Sequence, residues 1–142
     1  MNTAFPAFQD ALTAVAIAAD TGAPVTLGPP KDGLLKRHVV ISGRGSAQLS
    51  DGVSGYGQRD ESLSCEVLVV CNVTGGDYKA TRNEVAGIVS NFDDAIAADV
   101  TLGGVVSFCR ISSIEYDHGL AEDGRTLQVY WVLTVTAEAS VG

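Results

Sequence analysis

The chain has 142 residues, nine basic against 17 acidic side chains and a formal net charge of −8. This length suits one domain over residues 1–142, and 46% hydrophobic residues supply a core, which excludes bulk disorder. An acidic chain without a Lys/Arg cluster is a poor match for proteins that grip nucleic acid through its phosphates. No stretch approaches the ~20 apolar residues of a membrane-spanning helix, so we expect no membrane partner.

Composition also bears on cellular location and assembly. The three cysteines lack the number and spacing of a disulfide framework, and the N-terminus lacks the basic stretch of a secretory signal. Both features predict an intracellular protein. Charged residues make up only 18% of the chain, below the roughly 25% usual in globular domains, which favours an oligomer that covers part of its surface.

Two segments have the apolar spacing of amphipathic helices. Residues 4–21 carry an apolar side chain every three or four positions, and residues 77–98 repeat this pattern over a longer stretch. Asp77 is a suitable cap for the second helix. We expect the second helix to pack on a sheet that includes Trp131 and Leu133. The helix side chains expected to be buried there are Val85, Ile88, Val89, Phe92 and Ile96.

The remaining apolar segments alternate as strands do. They follow in the order 25–27, 38–41, 61–72, 105–117 and 126–137. A slip in the alternation near Arg110–Ser112 predicts a β-bulge. The order of helix, strands, helix and strands, with hairpin-like spacing, predicts an α+β fold in which a mainly antiparallel sheet packs, in two layers, against two helices.

Residues 43–60 differ from the rest because glycine and serine dominate and apolar side chains are few. We predict a long Gly-rich loop here, and loops beyond about 12–15 residues usually serve a function. With little burial of its own, the loop is expected to act in assembly rather than in folding. Tyr and Arg are frequent at interface hot spots, so the expected protein contacts are Arg44, Gln48, Tyr56 and Arg59.

No pattern in the chain predicts catalysis, a metal or a cofactor. Cys65 and Cys71 lie six residues apart on one strand face, about 20 Å, too far to share an ion, and they are expected in the core. Asp117 and His118 are neighbours whose side chains point to opposite faces of a strand. The glycine-rich stretches match no phosphate-binding motif, and the adjacent carboxylate pairs are expected to be solvated. We therefore predict a protein that is not an enzyme and has no catalytic, cofactor-binding or metal site.

The order of segments resembles that of small tail proteins of long-tailed phages. After the N-terminal amphipathic helix, the resemblance is carried by three segments: LGPPKDGLLKRHV at 27–39, DVTLGGVV at 99–106, and YDHGLAEDGRT at 116–126, which precedes an aromatic strand. Together these resemble the tail terminator and minor tail proteins of actinobacterial siphophages, over nearly the whole chain.

The resemblance implies a structural virion protein, most specifically a tail terminator. Such a protein forms a homo-hexameric ring at the head-proximal end of the tail tube, stops tube polymerisation and joins the tail to the head connector or neck proteins. Genomic DNA passes through the lumen without specific binding, and the protein is in the host cytoplasm during assembly. Two alternatives stay open: a neck or head-completion protein of the same interface, and a small-molecule-binding α+β domain with a pocket beneath residues 43–60.

Overall fold

A computed structural model describes residues 3–19, 22–29, 36–51 and 59–141, with the backbone alone at 51, 59 and 141. Its elements follow in the order α1 (Phe5–Ala18), β1 (Val25–Leu27), β2 (Arg37–Asp51), β3 (Arg59–Thr74), α2 (Tyr78–Ala98), β4 (Phe108–Leu120) and β5 (Thr126–Val141). The strands form one sheet in the order β1-β2-β3-β5-β4, in which β1 pairs parallel to β2 and every other pair is antiparallel. The predicted α+β fold class is confirmed. None of the described helices is long and apolar enough to cross a membrane.

Both helices pack on one face of the sheet. Alternate residues of β3 from Glu61 to Cys71 point to this face and are buried, as strand periodicity requires. The α1 helix adds a stripe of buried residues spaced by four: Phe8, Leu12 and Ala16. The main hydrophobic core therefore lies between the helices and the sheet, while His38, Val40 and Val70 are buried on the opposite face near β1.

The α2 helix confirms its predicted packing. Asp77 caps it, since its carboxylate accepts a hydrogen bond from the backbone N–H of Ala80 at 3.1 Å. Leu133 of the sheet is buried. So are all five residues of the predicted helix stripe: Val85, Ile88, Val89, Phe92 and Ile96. Trp131 is only half-buried, because it lies towards the sheet border, where its ring meets that of Tyr116 edge to face.

The long loop predicted over residues 43–60 is wrong for residues 43–51 and 59–60. Residues 45–51 pair with residues 59–65, so β2 and β3 continue as a long antiparallel arm, and β5 pairs with β3 along its whole length. The glycines and serines suggested a loop, but here they serve a strand with one polar face and a bulge between Ile41 and Gly45. Residues 52–58 lie outside the described residues.

Gly45 has a specific packing role in this arm. A Cβ at this position would overlap the carbonyl oxygen of Ser64 and lie 2.6 Å from the ring of Phe5. Only glycine lets the first turn of α1 approach the strand so closely. The second predicted irregularity is confirmed, since the β4–β5 register shifts between Ile111 and Ser113.

Candidate functional site

The three cysteines lie in the core, as the sequence predicted. Cys65, Cys71 and Cys109 are free and buried, and burial raises their pKa values to about 11, 11 and 12. At neutral pH they are thiols, whereas the thiolate is the form that attacks or binds metal. Among the described residues, no group of three or more His, Cys, Asp or Glu side chains could hold a metal ion.

Asp117 and His118 lie at an exposed strand end and point to opposite faces. The carboxylate of Asp117 accepts hydrogen bonds from the His118 backbone N–H at 2.8 Å and from the Tyr130 hydroxyl at 2.9 Å. The hydrogen bond from the His118 backbone has the larger effect and the one from Tyr130 the smaller, and both lower the pKa of Asp117. The hydrogen bond to the same carboxylate raises the pKa of Tyr130. The Asp117 carboxylate thus favours the protonated form of Tyr130. The His118 ring lies beside that of Tyr78, with the centroids 4.9 Å apart and the planes tilted by 48°.

The face of the sheet turned away from the helices is polar over the length of the arm. We call this surface the polar face; strand alternation and register assign to it Ser46, Gln48, Ser50, Asp60, Ser62, Ser64, Glu66, Arg110, Thr134, Thr136, Glu138 and Ser140, with the exposed ring of Phe108 at its β4 border. Hydroxyls connect neighbouring strands: Ser46 and Ser64 are 2.8 Å apart, and Ser62 donates to both Glu138 oxygens at 3.0 Å. These contacts hold the side chains flat on the sheet.

The charge on this side of the sheet is acidic. Among described side chains of β2 to β5 that face away from the helices, the carboxylates are Asp60, Glu66, Glu115, Asp117 and Glu138, against the guanidinium groups of Arg44 and Arg110. Arg44 is 84% exposed and lies 4.0 Å from Glu66, a distance at which an exposed ion pair contributes little. The surface therefore presents negative charge among neutral hydroxyls.

Three open depressions lie on the described surface near the residues discussed above. One of about 480 Å³ lies on the polar face around Arg44, Ser64 and Glu66, and another of about 340 Å³ lies around Gln48 and Arg110. A third, about 460 Å³, lies between α2 and β4 beside Val89 and Ile111. On the helix side of the arm, the ring of Phe5 lies next to Gly45.

The structure describes the side chains of only two of the four residues predicted for protein contact. Arg44 and Gln48 are exposed on β2, and Gln48 is part of the polar face. Arg59 begins β3 opposite Asp51, and only its backbone is described. Tyr56 lies outside the described residues. The contacts of these four residues with another protein stay a prediction.

Exposed apolar residues lie at the two opposite borders of the sheet, and the sequence patterns did not predict them. On the β4 border, Tyr116 and Leu120 lie on the helix side of the sheet, near Tyr78 of α2, which contacts His118. Phe108 lies near the other end of the strand and on the opposite face. On the β1–β2 border, Leu27 of β1 and Ile17 of α1, the helix that packs over β1, are exposed at one end. Leu49 of β2 is exposed eight residues along the strand from Ile41, the partner of Leu27. Apolar residues that interrupt the polar alternation of β4 were a usable signal. Their grouping becomes visible only from the strand order.

Comparison with known proteins adds no identification. No protein-family model matches the chain, and no curated protein matches its sequence.

Proposed function

We propose that the chain is a structural protein of a phage tail, a tail terminator that forms a hexameric ring at the head-proximal end of the tail tube. In this role it stops tube polymerisation and joins the tail to the connector or neck proteins of the head. The proposal rests on the resemblance of the three sequence segments. The polar face is the structural observation that supports it best.

The polar face suits the wall of a channel for DNA. Carboxylates that outnumber guanidinium groups repel phosphates, and between them the face presents mainly serine and threonine hydroxyls, with Phe108 as an exposed apolar residue at the β4 border. Six copies would carry six times −8, or −48 charges in all. Such a wall lets DNA slide without binding, which is the property that a tail lumen needs.

The function is tested by removing the protein from the phage that encodes it. Loss of a terminator should give tails of uncontrolled length, and gold-labelled antibody should mark the head-proximal end of normal virions. Tails of normal length that fail to join heads would identify the neck or head-completion alternative instead. A purified monomer that retains a metabolite in native mass spectrometry would identify the small-molecule-binding alternative.

The channel role is tested by charge reversal with a matched control. Glu66→Lys with Glu138→Lys places four units of positive change on the polar face of each subunit, and Asp10→Lys with Asp94→Lys places the same change on exposed positions of α1 and α2. The first variant should retain DNA at low salt and reduce infectivity, while the second should do neither. Equal DNA retention by both variants would contradict a lumenal polar face.

The predicted contacts on the arm are tested in the same system. Arg44→Ala with Gln48→Ala should reduce assembly without changing the thermal melt, because both side chains are exposed. Lys79→Ala with Asn83→Ala, on exposed positions of α2, is the control and should assemble normally. Normal assembly of the arm variant would contradict the role given to these residues.

A further inference from the structure

Both borders of the sheet leave strand backbone without a partner among the described residues. The β4 strand is the last in the strand order and pairs only with β5. At the other border β1 pairs only with Val39–Ile41, so residues 42–51, the free β2 segment, pair on one side only. Neither segment contains Lys or Pro, which commonly block pairing at sheet edges.

The apolar residues of the two borders occur at matching heights across the sheet. The register joins Phe108 to Glu138, Ser62 and Gln48 in one row, so Phe108 is level with the free β2 segment and one row from Leu49. A second row joins Tyr116 to Trp131, Val69, Val39 and Val25, so Tyr116 is level with β1 and two residues from Leu27. Leu49 and Phe108 face opposite sides of the sheet, whereas Tyr116 and Leu27 share the helix side, so the matching apolar contact is the one near β1.

Strand direction and charge also agree between the borders. Three successive antiparallel pairings make β4 run opposite to β2. When copies are related by rotation about an axis along the strands, β4 of one copy therefore meets β2 of the next in the antiparallel sense. Arg44 extends from the free β2 segment, and Glu115 and Asp117 extend from β4 on the same side of the sheet.

We propose that the β4 border of one copy docks onto the β1–β2 border of the next, so that the sheet continues from subunit to subunit. The first residues of β4 pair with the free β2 segment, and Tyr116 and Leu120 pack against Leu27 and Ile17. The contact joins two different surfaces of the chain, so it is heterologous and repeats from copy to copy, which gives a ring where the rotation between copies closes. The inference deepens the proposed ring function and rests on it for the number of subunits.

Engineered disulfides test the pairing directly. Gln48 and Phe108 share a row and a sheet face, yet within one chain three strand spacings, about 14 Å, separate them. A disulfide needs Cα atoms within about 7 Å, so a bond between these positions joins two chains. Phe108→Cys is combined in turn with Ser46→Cys, Gln48→Cys or Ser50→Cys, which scans the stagger between copies.

Oxidation of one of these three double variants should give a ladder of covalent multimers on a denaturing gel. Each single variant should stay uncrosslinked, and an equimolar mixture of the two matching single variants should give dimers only. Monomers from all three double variants, or a single variant that crosslinks to itself, would overturn the proposal. The native thiols are buried and do not compete.

Mixing of variants tests whether the contact is head to tail. Tyr116→Glu with Leu120→Glu blocks one border, and Leu27→Glu with Leu49→Glu blocks the other; circular dichroism checks that each folds. In native mass spectrometry each variant alone should be monomeric, while their mixture should give one-to-one dimers and no ring. Asn91→Glu with Ala97→Glu, at exposed positions of α2, should assemble as wild type does. A wild-type monomer, or a mixture without dimers, would overturn the contact.

The two proposals fail in different measurements. A covalent ladder from a protein that has no effect on tail length would support the proposed contact and contradict the proposed phage function. Tails of uncontrolled length without the ladder would support the proposed function and contradict the proposed contact.

Discussion

The carboxylate of Glu61 on β3 accepts a hydrogen bond from the backbone N–H of Ala4 at 2.7 Å, across 57 positions of sequence. The same carboxylate accepts from the hydroxyl of Thr3 at 2.7 Å, and Glu61 is fully buried. Ala4, at the N-cap of α1, has no side chain that could make such a bond. The sheet therefore caps the helix, and the negative charge lies at the positive end of the α1 dipole.

Replacement of Glu61 should destabilise the fold. Glu61→Ala leaves a helix N–H without its acceptor in the core, and a hydrogen bond to a charged group of this kind contributes about 1.5–3 kcal/mol. Glu61→Gln keeps one acceptor oxygen and should lose less. Urea unfolding measures both, with the exposed Glu138→Gln as the control. A loss under about 0.5 kcal/mol for Glu61→Ala would show that the cap contributes nothing.

Gly45→Ala should destabilise the protein by about 1–3 kcal/mol, the usual cost of overpacking. The new Cβ would meet the Ser64 carbonyl and the Phe5 ring, and the backbone oxygen cannot rotate away. Gly43→Ala is the matched control, because nothing lies within 4 Å of a Cβ at that position. Thermal melts of the two variants should separate clearly. Equal melting temperatures would contradict the close approach of α1 to the arm.

His38 should make the fold less stable below neutral pH. Burial lowers its pKa from the ordinary 6.5. Thr26, whose hydroxyl donates to the Gly28 carbonyl, lies 3.1 Å from Nε2, and Nδ1 has no hydrogen-bond partner in the described structure. Between the lowered pKa and 6.5, the unfolded chain binds more protons than the folded one, so the free energy of unfolding falls as pH falls.

Urea titrations at pH 7, 6 and 5 check this dependence. His38→Gln cannot titrate, so the wild type should lose more stability than the variant over this interval, and carboxylates common to both cancel in the comparison. Replacement of the exposed His118 by Gln is the control for removing an imidazole from the surface. The same slope in wild type and His38→Gln would mean that burial does not disfavour the charged imidazole.

The cysteines should be inert in the folded protein. With pKa values raised to about 11, 11 and 12, almost no thiolate exists at pH 8, and the side chains are also out of contact with solvent. Iodoacetamide should add nothing to the native chain within an hour, and three groups after unfolding in urea, as read by intact mass. Rapid labelling of one thiol in the native protein would place that residue outside the core.

Periodicity along the chain was enough to determine the fold class. The stripe from Val85 to Ile96 and the alternation from Leu63 to Cys71 are local patterns, and each also has the burial that its pattern requires. The bulge at Ile111 was readable for the same reason, since a slip in alternation is a local signal. Such features need no knowledge of which strand lies beside which.

Tertiary pairing decided the arm, the helix cap and the borders. Gly45, Ser46 and Gln48 have low intrinsic strand preference, and they form a strand because β3 lies beside them and is itself paired to β5. In the sequence, Glu61 is simply a polar residue at the start of a strand. Its capping role depends on the position of α1, whose N-terminus lies against it. The order of the five strands is what places Phe108 and Leu49 at opposite borders of the sheet. Each of these features depends on contacts between residues far apart in the chain, which local periodicity does not encode.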